Sequence, residues 1–308
     1  MKIVFLEPLG LKVQQIETAC EALKKAGHDV VVYPDRNESL DELIRRAEGA
    51  EVVIESNIPL RKDFLDACPH LKMLSIAFTG LDHIDVEECQ RRGIVVKNAA
   101  GYSTEAVAEL AIALMIDLYR KVLENDMITR QCNRKGLMPG REIGGKTVGI
   151  IGMGNIGQRV AQLANAFGCK VLAWNRTSKS VEDVTFVDKA TLLKESDIVT
   201  LHIALNAETR DFITEKDFAL MKPDSLLINT ARGPVVNEQA LANALKQGQI
   251  AAAATDVYGK EPPLNQDNPL FGAPNLIMLP HIGFATEEAF VLRLGIVVNN
   301  VMDWLIRS

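Results

Sequence analysis

Thr147-Val148-Gly149-Ile150-Ile151-Gly152-Met153-Gly154-Asn155-Ile156-Gly157 joins a short apolar run to a glycine-rich turn without a gap. The run has the length and composition of a buried strand. Ile156, Val160, Leu163, Ala164 and Phe167 then recur at helical spacing, Gly168 stops the helix, and Lys170-Val171-Leu172-Ala173-Trp174 reads as the next parallel strand. The product is one βαβ unit. Gly152 permits the sharp turn, Gly154 lets the backbone approach a pyrophosphate, and Gly157 allows the helix to pack closely on the strand. The free N–H groups and positive dipole end of such a helix suit an anion, so the expected ligand is a dinucleotide.

The fingerprint departs in one place. An Asp or Glu is expected about 20 residues on, to hold the adenosine ribose. Asn175, Arg176 and Thr177 stand there instead. An arginine beside a missing carboxylate suits a 2′-phosphate, which favours NADP(H) over NAD(H). In the alternative reading Arg176 is a solvated charge and Asn175 bonds the ribose.

A chain of 308 residues exceeds one ordinary core and suggests two domains. With 47% apolar residues it can fill both. With a net charge of −6 and a pI near 5.5, nothing speaks for a nucleic-acid surface. Cys20, Cys68, Cys89, Cys132 and Cys169 are far apart, odd in number and without a C-x-x-C pair, so they read as buried or free thiols of a reducing cytosol. The opening Met1–Glu7 meets a charge too soon for a signal-peptide core. The most apolar helix, Val107 to Leu118, is interrupted by Glu109 and Asp117 and falls short of the roughly 20 residues of a membrane span. A cytoplasmic protein without a membrane partner is expected, and no metal is expected in its site.

Upstream of the glycine turn, strands are predicted at 2–6, 29–33, 51–55, 72–77 and 94–97, with helices near 12–26, 39–48, 61–67 and 85–91 between them. Such alternation argues a parallel sheet covered on both faces, with ligands at the carboxyl ends of its strands. The loop Ala77-Phe78-Thr79-Gly80 follows one of those ends, and Gly80 could turn backbone N–H groups toward a carboxylate. A simple tight turn is the alternative. A long helix over 103–123 follows. The charged, glycine-containing link from Asn125 to Gly145 reads as a loop that serves as a subunit-contact arm. Beyond residue 176, strands at 184–187, 197–201, 225–229, 250–254 and 276–279 alternate with helices near 188–195, 214–221 and 237–247, and a last helix spans 286–305. Two doubly wound parallel-sheet domains result, their sheets of about equal size, with the helices over 103–123 and 286–305 as candidate bridges.

Three strand-end segments carry more polar chemistry than a turn requires: Asn229-Thr230-Ala231-Arg232-Gly233, Asp256 to Pro262, and Pro280-His281-Ile282-Gly283. An arginine there can fork two hydrogen bonds to a carboxylate or steady charge on a carbonyl oxygen. A histidine beside a glutamate is a proton donor and acceptor of suitable strength, because an adjacent carboxylate favours the imidazolium. Reduction of a keto group needs a hydride on carbon and a proton on oxygen, which nicotinamide and imidazolium can supply.

These segments, with Gly152 to Gly157, Leu201-His202-Ile203 and Pro280 to Thr286 in this order and spacing, resemble the D-isomer-specific 2-hydroxyacid dehydrogenases along the whole chain. The resemblance implies a flavodoxin-like substrate domain, 1–99 plus 285–308, around a Rossmann cofactor domain, 100–284, in a homodimer. It implies Arg232 as the catalytic arginine, Glu261 as its glutamate and His281 as the acid-base histidine, with Phe78, Thr79 and Gly80 as the substrate-carboxylate loop. Cofactor contacts are implied at Thr104, at Gly152 to Gly157 including Asn155 and Ile156, at His202 and Ala204, at Thr230, Ala231 and Arg232, at Asp256, and around His281 and Gly283. Asp256 would accept from the nicotinamide carboxamide. Ala204 departs from the proline common in the family. Members that act on 3-phosphoglycerate carry arginines where this chain has Glu55 and Ile76, and a glutamate facing a phosphate would repel it. A small unphosphorylated 2-oxo acid such as glyoxylate, hydroxypyruvate or pyruvate is therefore expected, with D-3-phosphoglycerate as the alternative. A nucleotide-sensing protein without turnover is the alternative of another class.

Overall fold

The computed structural model describes residues 1–131, 138–177, 179–261 and 264–307. The chain divides into two compact units, Met1–Ser103 with Ala285–Ser308, and Thr104–Phe284.

In the first unit β1 (Lys2–Phe5), β2 (Asp29–Val32), β3 (Val52–Glu55), β4 (Met73–Ile76) and β5 (Val95–Asn98) form a parallel sheet in the order β2-β1-β3-β4-β5. This is the flavodoxin-like order, with its switch point between β1 and β3. All four residues of β3 and of β4 are buried, as β-branched and apolar runs in a sheet covered on both faces must be. The helices are α1 (Val13–Ala19), α2 (Glu21–Lys25), α3 (Leu40–Arg46), α4 (Lys62–Ala67) and α5 (Val86–Arg91). The single helix predicted over 12–26 is broken at Cys20, whose ψ of 4° ends α1 and starts α2.

The second unit begins with α6 (Thr104–Arg120). Lys121 then takes a left-handed conformation, φ 53°, which ends α6, and a further helix, α7 (Val122–Arg130), follows. The link predicted as a loop from Asn125 is thus helical at its start, and residues 132–137, with Cys132, lie outside the described residues. None of the residues of α7 is buried. Seven parallel strands follow: β6 (Thr147–Ile151), β7 (Lys170–Trp174), β8 (Thr185–Phe186), β9 (Ile198–Leu201), β10 (Leu226–Asn229), β11 (Ala252–Thr255) and β12 (Leu276–Met278). Their order, β12-β11-β10-β9-β6-β7-β8, is the Rossmann order with the switch point between β6 and β9.

Side chains alternate across this sheet as a period of two requires. Val148, Ile150, Ile198, Leu226 and Ile228 join α6 and α8 (Asn155–Ala166) in one core, while Ile151, Val199, Leu201 and Leu227 face α9 (Lys189–Glu195), α10 (Glu215–Phe218) and α11 (Glu238–Lys246) in another. The last helix, α12 (Glu287–Arg307), returns to the first unit, where the buried Ser75 hydroxyl donates to Val297 O. Among the described residues it is the one helix long and apolar enough to cross a membrane. Ala289, Leu294, Val297, Val298 and Val301 are buried within the unit, which accounts for its apolar stripe.

Candidate active site

The glycine turn leaves the end of β6 as its sequence demands. Gly152 has φ +101°, and a Cβ there would lie 2.6 Å from His202 O. Gly157 approaches more closely still: its Cβ would lie 2.0 Å from Gly152 O, so the first turn of α8 rests on the glycine turn itself. Gly154 precedes Asn155, the first residue of α8, and a Cβ on it would meet open space. The two outer glycines are required by the protein, and the middle one leaves room for a ligand.

Asn175, at the end of β7, accepts from Met153 N through Oδ1 (3.1 Å) and donates through Nδ2 to Thr177 O (2.9 Å). It therefore braces the glycine turn against the next strand end. Arg176 is exposed and pairs with Glu208 at 3.4 Å, both side chains 75% accessible, which makes the pair weak. Lys179 donates to Met153 O at 2.7 Å and brings a second cation to this strand end. Sequence reasoning missed it, although a lysine four residues beyond Asn175 was there to be counted.

Two buried polar atoms at neighbouring strand ends lack a hydrogen-bond partner among the described residues: His202 Nδ1 after β9 and Thr230 Oγ1 after β10. Orphans of this kind are rare in native interiors and call for a missing partner. His202 bonds Thr200 Oγ1 through Nε2 at 2.9 Å, and burial pushes its imidazole down to about 3, so the ring is neutral. With the open face of Gly154, these atoms fit a polar ligand laid across β6, β9 and β10, as a dinucleotide would be. Thr104 and Ala204 fall at the start of α6 and on the exposed segment after β9.

The segment around His281 is held by a buried carboxylate. Asp256, 1% exposed, accepts from Ile282 N (2.8 Å) and Gly283 N (2.6 Å). Burial pushes the Asp256 carboxyl up from its ordinary range, against the two N–H bonds that lower it. What the side chain does here is anchor the loop; the carboxamide role expected for it would have to use the lone pairs that remain. Gly283 carries no side chain, and a Cβ on it would lie 3.0 Å from Asp256 Oδ2. Held in this way, His281 adopts φ +59°, a left-handed conformation uncommon outside glycine. Its Nδ1 lies 3.2 Å from Glu261 Oε2, and the Phe284 ring stands edge-on at 5.7 Å. Such strain gathers at functional positions.

Glu261 and Arg232 are brought to the same end of the sheet by a crossing of loops. A Cβ on Gly233 would lie 1.9 Å from the Tyr258 carbonyl carbon, so the segments after β10 and β11 touch at backbone distance. Asn229 shapes the first of them, accepting from Ala231 N and donating to Arg232 O, both at 3.1 Å. Glu238, at the start of α11, shapes the second by accepting from Gly259 N (2.6 Å) and Asn268 Nδ2 (3.2 Å). Sequence reading passed over Glu238, which there looks like an ordinary first-turn acid. Pro262 lies outside the described residues.

In the first unit, the Phe78–Gly80 loop leaves β4. Phe78 O accepts from Ala99 N (3.1 Å) and Thr79 O from Asn98 Nδ2 (2.6 Å), while the N–H groups of Thr79 and Gly80 have no acceptor among the described residues. The Glu55 carboxylate does not stand free, as the repulsion expected of it required. It is fully buried, with Oε1 3.0 Å from His83 Nε2 and Oε2 accepting from Ile58 N at 2.6 Å. Burial pushes its carboxyl up, and His83 opposes that. What marks this end of β3 is a carboxylate already taken up within the protein; a nearby cation, Arg293, donates to Ser56 Oγ at 3.1 Å.

Residues 112–283 match the family described as "D-isomer specific 2-hydroxyacid dehydrogenase, NAD binding domain", more than half of the chain. This chain belongs to the D-isomer-specific 2-hydroxyacid dehydrogenases. The dehydrogenase is 41% identical over 260 residues to glyoxylate reductase of Thermococcus litoralis, covering 80% of this chain and 77% of the relative. It is 32% identical to hydroxypyruvate reductase of Blautia hydrogenotrophica across 99% and 97% of the two chains. Among solved structures it resembles the acyclic imino acid reductase Bsp5 in complex with NADPH and D-Arg, with a TM-score of 0.89, 35% identity and coverage of 100% and 98%. The dehydrogenase is thus an oxidoreductase that works with a nicotinamide cofactor on a 2-hydroxy or 2-oxo acid.

Proposed function

We propose that this dehydrogenase reduces a small unphosphorylated 2-oxo acid, such as glyoxylate, hydroxypyruvate or pyruvate, to the D-2-hydroxy acid. The reading is carried by the 3.2 Å contact between His281 and Glu261, on a loop that Asp256 fixes at the carboxyl end of the sheet bearing the glycine turn. A reduced nicotinamide, when bound, supplies the hydride. His281 donates the proton: Glu261 engages Nδ1, which assigns delivery to Nε2. Arg232 forks onto the substrate and draws charge from the carbonyl oxygen. The N–H groups of Thr79 and Gly80, beside Phe78, receive the carboxylate.

Arg176 and Lys179 at the end of β7, with no carboxylate in the ribose position, support NADP(H) as the preferred cofactor. The substrate lobe in this reading is 1–99 plus 285–308 and the cofactor lobe 100–284. Val122, Leu123 and Met127 are at least half exposed on α7, which supports a homodimer joined through that arm. A cytoplasmic location is part of the same proposal. A second reading, D-3-phosphoglycerate as substrate, is favoured by 38% identity to D-3-phosphoglycerate dehydrogenase of Archaeoglobus fulgidus over 97% of this chain and 56% of that enzyme. Glu55 and Ile76, where a phosphate would need cations, weigh against it.

The test is consumption of NADPH and NADH by purified protein with glyoxylate, hydroxypyruvate, pyruvate and phosphohydroxypyruvate. Turnover of the first three above the fourth is expected. A preference for the phosphorylated acid would replace the substrate, and nucleotide binding with no turnover across the panel would replace the enzyme by a sensor.

A further inference from the structure

Arg293 on α12 is 3% exposed. Its guanidinium donates to Leu9 O beyond β1 (2.5 Å), to Ser56 Oγ beyond β3 (3.1 Å) and to Ala77 O beyond β4 (3.3 Å). These are the carboxyl ends of the strands on either side of the switch point, where open α/β sheets bind ligands. The turn after β1 is folded over the guanidinium with Leu9 at φ +50° and Gly10 at φ +72°. A Cβ on Gly10 would lie 2.9 Å from the Phe290 ring and 3.3 Å from the guanidinium. Arg293 also lies over the Phe290 ring at 4.4 Å and the Tyr102 ring at 5.8 Å, and Tyr102 in turn contacts Phe78 at 6.4 Å between centroids.

Stability alone does not call for this residue. Burying a guanidinium carries a desolvation cost, and an apolar side chain of similar volume could fill the same space. Burial indeed pulls its pKa below the ordinary arginine value. What an apolar residue could not do is hold three strand-end loops in one register and keep a positive charge behind the loop that begins at Ala77.

We propose that Arg293 is a positioning residue for the reaction, its buried guanidinium fixing the Phe78–Gly80 loop in the form that receives the substrate carboxylate. It does so through the backbone at Ala77 O and through the side chain of Phe78 by way of Tyr102. The inference rests on the reading of that loop given under Proposed function. Misplacement by about 1 Å costs on the order of 10²-fold, so a modest loosening is enough to be measured.

The experiment compares wild type, Arg293→Met and Arg293→Lys by KM and kcat for the 2-oxo acid that wild type reduces fastest, by NADPH Kd from fluorescence titration, and by Tm. In Arg293→Met, KM should rise by about tenfold or more while NADPH Kd stays within about twofold, because uniform substrate binding is lost and the cofactor lobe is untouched. Arg293→Lys keeps the charge without the fork, so its KM should fall between the two. A lowered Tm with KM at the wild-type value would mark a structural part and overturn the proposal. Should Arg293→Met not fold, Arg293→Lys decides by the same KM criterion. A wild type that reduces no 2-oxo acid would remove the underlying reading and this inference together, whereas an active wild type with unchanged KM in the variants would remove this inference alone.

Discussion

Gly157 and Arg293 each keep a strand-end loop in shape, by opposite means. The turn after β6 holds because an atom is left out: any Cβ on Gly157 would collide with Gly152 O. The loops after β1, β3 and β4 hold because a charge is put in, and the guanidinium of Arg293 joins them with Glu55 and His83 buried alongside. Absence of a side chain leaves a pattern of glycines along the chain. A buried charge leaves none, since its partners, two carbonyls and a serine hydroxyl, lie far away in sequence.

The largest loss of cofactor affinity should come from breaking the first of these. Gly157→Val puts a branched side chain where 2.0 Å separates Cβ from a backbone oxygen, and NADPH affinity should fall by about 10²-fold or more. Unchanged affinity in titration calorimetry would mean that the turn is not where the dinucleotide sits. Arg232→Ala should lower kcat/KM by roughly 10²-fold or more, the scale for loss of a charge-stabilising donor. Near-normal steady-state kinetics would remove Arg232 from the reaction.

His202 offers a smaller test that does not depend on turnover. Its imidazole is pushed down to about 3 in the folded protein, against about 6.5 unfolded. A histidine lowered in this way contributes stability that is whole above about pH 6.5 and is lost as pH falls toward 3. His202→Gln should therefore unfold with a shallower loss between pH 7 and pH 5, differing from wild type by up to about 2 kcal/mol. Parallel urea-unfolding profiles at the two pH values would show the ring to be solvated. The smallest effect belongs to Arg176→Ala, in which the NADPH-to-NADH preference should shrink by several-fold while kcat is kept. A ratio that stays the same would end the case for a 2′-phosphate at Arg176.

Much of this architecture was legible along the chain, because strands covered on both faces read as apolar runs and helices declare themselves by period. The exceptions have local causes. Cys20 breaks the helix predicted over 12–26 through one ψ angle, and the left-handed Lys121 breaks the helix predicted over 103–123, after which α7 runs on into the link predicted as a loop. Within the site, His281 and Glu261 could be paired from strand-end position. Asp256 could not be foreseen as the grip on Ile282 N and Gly283 N, nor Glu238 as the grip on Gly259 N, because those partners lie more than 20 residues away. The partner of Glu55 was hidden for the same reason: its carboxylate is taken up by His83, 28 positions on.

The sharpest single measurement concerns His281. In His281→Ala, reduction of the best 2-oxo acid should fall by on the order of 10²- to 10⁴-fold, the range for loss of a general acid, with NADPH Kd kept within a few fold. Turnover that persists would contradict a proton delivered by this imidazole, and turnover lost together with nucleotide binding would show that His281 holds the lobe in shape instead of serving the chemistry.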